Sequence, residues 1–198
     1  MAAAFMDHWE IVDLLLDHGA KISETDSAGA TALHLALSNG SKTEAHDKTV
    51  HTLMRRGSDL TVTDAHGRVC LHLAAYYGDR NLTSLVGATC IDIQDSLGRT
   101  PLMLAASQGQ VEAVNQLVKN GNLKRSLEGI DRILQDNDGA VALHYAVAHG
   151  DVALCRALAT SATVNATDRA GNHPLINACQ SDNEEVRLIS LPEISNLP

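Results

Sequence analysis

One sentence of sequence is written five times along this chain. Asp26 and Gly29, Asp64 and Gly67, Asp95 and Gly98, Asp136 and Gly139, and Asp168 and Gly171 each stand three apart, and each pair is followed four residues later by a leucine opening an apolar stretch: Leu33-His34, Leu71-His72, Leu102-Met103, Leu143-His144 and Leu175-Ile176. In the first four copies a second glycine comes eleven residues after the first, at Gly40, Gly78, Gly109 and Gly150, and the fifth has Asp182 there. A repeat of about 30 to 40 residues is too small to bury an apolar face by itself, so its copies must stack on one another. The expected fold is therefore one elongated solenoid filling the 198 residues.

The residue types dictate each unit's local structure. Asp and Gly three apart make a tight turn, the glycine supplying positive φ and the aspartate accepting from nearby amides. In Thr100-Pro101 the threonine caps a helix and the proline takes its first position, where a missing N–H costs nothing. The other copies weaken this start to Thr31-Ala32, Val69-Cys70, Val141-Ala142 and His173-Pro174. Leu102, Leu104, Ala105 and Ala106 are expected to face a neighbouring unit, with Gly109 ending the helix. A second helix is read from Val111, Val114, Leu117 and Val118, with Gly121 closing it. Aromatics make up only 3% of the chain while apolar residues make up 44%, a composition suited to short, closely packed helices.

The pattern resembles the ankyrin repeat, a unit of about 33 residues with a T-P-L-H-x-A signature. The resemblance covers nearly the whole chain. It implies an all-α solenoid of stacked helix-turn-helix units joined by β-turn hairpin loops, divided here as 1–25 (partial), 26–63, 64–94, 95–135, 136–167 and 168–191, with a tail at 192–198. It also implies a structural role for His34, His72 and His144, whose imidazoles would hydrogen-bond between neighbouring turns, and for the turn glycines Gly29, Gly67, Gly98, Gly139 and Gly171.

The spacing of the copies is irregular. A long first gap places an insertion at Ser41 to Asp47, ahead of a helix containing Val50, Leu53 and Met54. The short gap after it trims the second helix and hairpin around Gly87 to Cys90. A further insertion after Gly121 carries enough apolar residues to extend a helix or to fold back on the stack. Residues 8–20 read as a second helix whose preceding half is reduced to Ala2-Ala3-Ala4, as in a degenerate cap or a piece of a longer array.

Charge and motifs narrow the function. With 24 acids against 15 bases the net charge is −9, which disfavours sequence-independent attraction to phosphate backbones or anionic lipid. No stretch approaches the roughly 18 apolar residues of a membrane span, and Met1 to Asp7 lacks the basic start of a secretory signal. Cys70, Cys90, Cys155 and Cys179 lie far apart, fitting buried thiols in a reducing, cytoplasmic setting rather than disulfides. His46 and His51 in the first insertion stand five apart without companion ligands, so no metal site and no cofactor are expected. Nucleophile elbows, phosphate loops and paired catalytic carboxylates are all missing from the sequence, and the chain reads as non-catalytic.

What remains is binding. In ankyrin-like proteins partners dock on the hairpin tips and the inner helix surface, which form one concave groove. Carried over slot by slot, that groove would be lined by His66, Arg68, Tyr76, Tyr77, Leu97, Arg99, Ser107, Gln108, Asn137, Asp138 and His149. Tyr and Arg predominate at binding hot spots, and Arg68 and Arg99 occupy one slot in adjacent copies. The expected partner is a protein or peptide that is acidic or carries a carboxylate, and the chain itself is expected to be monomeric. The rival reading is a regulatory ankyrin domain of a larger channel, kinase or hydrolase.

Overall fold

The computed structural model describes residues 1–86, 91–124 and 132–180. Helices come in pairs: α1 (Ala2–Phe5) with α2 (Trp9–Asp17), α3 (Ala32–Ser38) with α4 (Glu44–Arg55), α5 (Cys70–Tyr77) with α6 (Leu82–Val86), α7 (Pro101–Ser107) with α8 (Val111–Lys124), and α9 (Ala142–His149) with α10 (Val152–Leu158). A 3-10 turn at Thr163–Asn165 precedes α11 (Pro174–Gln180). The odd-numbered helices stack in one row from α1 to α11, and α2 against α4, α6 against α8 and α8 against α10 form the second row. The core lies between the rows, built from Leu33, Leu37, Leu53, Leu71, Leu82, Leu102, Leu117, Leu154 and Leu158, with alanines where odd helices meet. Small side chains there let the helix axes come close without cavities.

Hairpins join the pairs, and their geometry follows from the aspartate. Oδ1 of Asp64 accepts from the His66 and Arg68 amides at 2.8 and 2.9 Å, Asp95 does the same for Leu97 and Arg99, and Asp136 for Asp138 and Ala140. Successive hairpins are then tied by single backbone bonds, the Ala65, Ser96, Asn137 and Arg169 amides donating to the Ala28, His66, Leu97 and Asp138 carbonyls at 2.7 to 2.9 Å. This contact needs a bare Cα on one side. Gly98 has φ +74°, and a Cβ there would lie 2.8 Å from the Asn137 amide nitrogen.

Three expectations are corrected. Residues 44–47 are not loop but the first turn of α4, because Thr43 caps the helix through the His46 amide and Glu44 and Asp47 add favourable charge at its N-terminus. Gly121 does not close α8, which runs on to Lys124; a glycine inside a helix costs only about 1 kcal/mol, and the residues after it extend the helix. Cys179 is exposed, whereas Cys70 and Cys155 are buried, since α11 turns Ala178 and not Cys179 toward α9. The short second helix expected after Gly78 is the five-residue α6. Gly87 to Cys90 and the remainder of the later insertion lie outside the described residues.

Because stability here is a sum of neighbour interfaces, truncating one core side chain is felt across its interface. Leu117→Ala, at a position with no exposed surface, is expected to lower unfolding free energy by about 2–5 kcal/mol, while Glu112→Ala on the exposed side of the same helix changes it by under about 0.5 kcal/mol. Urea denaturation of the two variants measures the difference.

The hairpin row and a buried imidazole clamp

Three histidines join each helix start to the next hairpin. Nδ1 of His34, His72 and His144 accepts from the backbone N–H of Thr31, Val69 and Val141 at 3.3, 3.2 and 3.1 Å. Accepting at Nδ1 leaves the proton on Nε2, which donates to the carbonyls of Arg68, Arg99 and Asn172 at 3.1, 3.1 and 3.2 Å in the following unit. Acceptance at Nδ1 requires a neutral ring. Burial accordingly pushes His34 and His72 below the ordinary imidazole range, partly offset by the accepting carbonyls. The third copy has Met103 in this slot, where the thioether sulfur accepts weakly from Thr100 and the Thr100 hydroxyl caps the helix instead.

The hairpin arginines are not free. Arg68 donates through Nε and Nη2 to Oδ2 of Asp64 at 2.8 and 2.7 Å, and Arg99 does so to Asp95 at 3.0 and 2.8 Å. Burial tends to raise the Asp64 carboxyl, but Arg68 and the hairpin amides outweigh it and hold that carboxyl below its usual range. Each guanidinium is thus fixed by its own hairpin, with its charge largely matched, and the two do not form an uncompensated basic patch. Where the fourth copy has Ala140 in the arginine slot, the Tyr145 hydroxyl bonds Asp136 Oδ2 instead. In the fifth, Asn172 Nδ2 takes the role toward Asp168 at 3.2 Å.

Around these pairs, His66, Leu97, Asn137 and Asp138 are exposed on consecutive hairpin tips, and Asn137 Nδ2 donates to the Ser96 carbonyl. Ser107, Gln108 and His149 lie at the C-terminal ends of α7 and α9, with Gln108 and His149 exposed and Ser107 half-buried. Tyr76 and Tyr77 meet edge-to-face with ring centroids 4.9 Å apart, both half-buried. Tyr77 covers Gly40 of the preceding unit, whose Cβ, if present, would meet the ring at 3.0 Å, and the His149 imidazole covers Gly109 in the same manner. Tyr77 and His149 are therefore partly engaged in stacking. Leu97, Tyr76 and Gln108 hold no such place.

Sequence reasoning passed over His46. Its imidazole is 1% exposed and lies between two carboxylates, with Nδ1 3.0 Å from Asp7 Oδ1 and Nε2 2.5 Å from Asp79 Oδ2. The two acids belong to the units before and after its own, so one side chain ties three consecutive units together. Burial disfavours the charged ring, but the bonds and charges of Asp79 and Asp7 outweigh it and raise His46 above the usual imidazole range. Asp79 is correspondingly lowered: burial would raise it, and His46 with the Asn81 groups reverses the sign. Asp7 takes the place of a closing glycine and adopts its conformation, φ 58°. The signal in the sequence was that Asp in a glycine slot, together with a histidine inside a length anomaly.

Burial pushes the Cys70 thiol up to about 12 and the Cys155 thiol up to about 11, which makes both poor nucleophiles. Among the described residues no three histidine, cysteine or carboxylate groups are placed to hold a metal ion, and no helix is long and apolar enough to cross a membrane.

Comparison with known proteins agrees with this architecture. The family model for ankyrin repeats in three copies matches residues 1–64 and 42–128, and that for ankyrin repeats in many copies matches residues 143–187. No curated protein matches the chain.

The clamp has a pH signature opposite to that of His34 and His72. A raised folded-state pKa means His46 contributes fully below about pH 6.5 and loses its contribution as pH rises through the folded value; His34 and His72, lowered, lose theirs as pH falls below about 6.5. His46→Gln, which leaves Asp79 buried without a counter-charge, should cost about 3–5 kcal/mol near pH 6, and the gap to the unsubstituted protein should narrow toward pH 9. Denaturant titrations at the two pH values check both size and sign, and the contributions of His34 and His72 cancel in the difference.

Proposed function

The chain belongs to the ankyrin-repeat family, and on that premise we propose that it is a non-catalytic binding module whose hairpin row in the second to fourth copies seats a segment of a partner protein. Ankyrin repeats generally serve protein–protein interaction, and ankyrin domains are typically non-catalytic. The observation that carries the reading is Leu97, a leucine 53% exposed at the tip of a rigid hairpin, flanked by His66 and Asp138 on the neighbouring tips. An apolar residue held out to solvent by a turn that three hydrogen bonds organise is an anchor set at little ordering cost.

The partner segment would set one apolar residue on Leu97 at the hairpin tip and another on Tyr76 at the far end of α5, with a carboxylate or carbonyl between them. Arg68 and Arg99 are already satisfied by Asp64 and Asp95, so they act as oriented hydrogen-bond donors and add little long-range attraction to acids. Among the described residues three cysteines are free, two of them buried, which supports a reducing, intracellular setting.

Arg68→Ala is a poor probe, since it strips a partner from buried Asp64. Leu97→Ala and Tyr76→Ala are clean. With peptides selected against the unsubstituted protein from a displayed library, each should weaken binding about fivefold or more, a change of about 1 kcal/mol, while Glu112→Ala and Lys119→Ala leave it unchanged. Titration calorimetry on the four variants decides it; binding lost only on the helix-two changes would move the site to the opposite face.

A further inference from the structure

Two carboxylates on one imidazole are both satisfied only while the ring carries two protons. Nδ1 of His46 stands 3.0 Å from Asp7 Oδ1 and Nε2 2.5 Å from Asp79 Oδ2, and a carboxylate oxygen only accepts, so both ring nitrogens donate and the ring is charged. A neutral ring has one N–H. Its other nitrogen would turn a lone pair on a carboxylate at hydrogen-bond distance, and one of the two acids has to leave.

Their surroundings decide which. The Asp79 side chain is 2% exposed and also accepts from the Asn81 amide and Nδ2 at 2.7 and 3.0 Å, so it lies inside a set of donors built around it. Asp7 is 11% exposed, has no other side-chain bond among the described residues, and lies in the left-handed turn between α1 and α2. A carboxylate beside water is released at far lower cost than one held out of it, so the remaining proton stays on Nε2 toward Asp79. The other charges around the ring are turned elsewhere. On α4 itself Glu44 pairs with Lys48 and Asp47 accepts from Asn81 Nδ2; on α2 Asp13 and Asp17 are engaged by Arg56 and Glu10 is exposed beside Lys48; on α3 His34 bonds Thr31 and the Arg68 carbonyl; His8 and Arg80 are exposed.

We propose that the proton on His46 latches the turn between α1 and α2 onto α4: when Nδ1 gives it up to solvent, Nε2–H keeps Asp79, Asp7 swings out to water, and the seam between the first two helix pairs opens at that turn. Burial alone would lower the ring, but the bonds and charges of Asp79 and Asp7 outweigh it, so the latch is closed through the ordinary imidazole range and opens above it. The opening is local. Ala4 and Val12 remain packed in the core, and Asn39 still donates to the Phe5 carbonyl.

The seam carries its own reporter. Trp9, the one tryptophan of the chain, is the first residue of α2, two positions after Asp7; it is half-buried, with Lys48 Nζ of α4 5.6 Å from its ring centroid. The bond to Glu44 raises the Lys48 ammonium above its ordinary range, so that contact keeps its charge while His46 titrates.

Acrylamide quenching of Trp9 in the full chain, followed together with the far-UV helix signal from about pH 6 to about pH 9, tests the latch. The quenching constant should rise about twofold while the helix signal holds, as in a local opening. Asp7→Asn separates the latch from other titrations: its Oδ1 accepts from the charged ring, its Nδ2 donates to the neutral one, and asparagine takes the left-handed conformation as readily as aspartate. In that variant the quenching constant should change by less than about a fifth over the same range, and His8, beside Trp9 in both proteins, cancels in the comparison. A quenching constant indifferent to pH, an Asp7→Asn protein that rises as the unsubstituted one does, or a rise that comes only with loss of helix signal would each overturn the proposal.

Discussion

Everything in this molecule hangs on a carboxylate oxygen accepting two amides at each hairpin. That one chelate sets the turn, and the turn brings a glycine Cα against the next hairpin's backbone, closer than any side chain would permit at Gly98. A backbone bond between tips then fixes the distance between units. With the tips in register, the next unit's carbonyl at the arginine or asparagine slot lies within reach of a histidine Nε2 in the helix behind. The apolar core supplies most of the free energy, but leucines and alanines alone would not choose a spacing; the polar chain from aspartate to amide to imidazole does.

The drift between copies shows which parts of that chain are replaceable. The second carboxylate oxygen is satisfied by an arginine in two copies, by a tyrosine reaching up from the helix in a third and by an asparagine in a fourth. In the second to fourth copies the acceptor is buried and must be satisfied, while in the fifth Asp168 is half-buried; the donor is whatever side chain can reach it. The imidazole is less easily exchanged. Met103 fills its volume and accepts weakly from Thr100, but nothing at that position donates to the hairpin of the fourth copy, and Gln94, exposed on the hairpin strand, makes a separate link to the Gln135 carbonyl at 2.9 Å.

How much of this the sequence displayed depends on whether a feature repeats. The helix starts at Thr31 and Thr100, the left-handed glycines and the shortened α6 follow from local rules that act alike in every copy. Gly121 misled because a glycine is permissive: the same residue type closes one helix and sits inside another, and the neighbours on its C-terminal side decide between the two. The first insertion misled for a different reason. Extra residues between two periodic segments read as loop, yet a threonine cap followed by Glu44 and Asp47 is also a helix start, and adding a turn to α4 carries His46 into the space between Asp7 and Asp79. Nothing in the spacing of three residues drawn from three units announces that they meet. Of the residues proposed to meet a partner, those on the tips were legible because tips are exposed in any such fold, whereas the engagement of Arg68 and Arg99 by their own aspartates is a matter of side-chain reach.

The first helix pair makes the physical economy of the stack plain. Its α1 is a single turn, packed on α2 and α3, so it brings little apolar surface of its own. Polar ties are concentrated around it. Asn39 Nδ2 donates to the Phe5 carbonyl at 2.8 Å, Arg56 grips Asp13 and Asp17, and His46 bonds Asp7 in a left-handed conformation that aspartate adopts more readily than most side chains. The surface pairs contribute little singly. The His46 bond differs in kind, because its opening would leave a charge stranded out of water next to Asp79, and so unfolding of the first unit is coupled to the third.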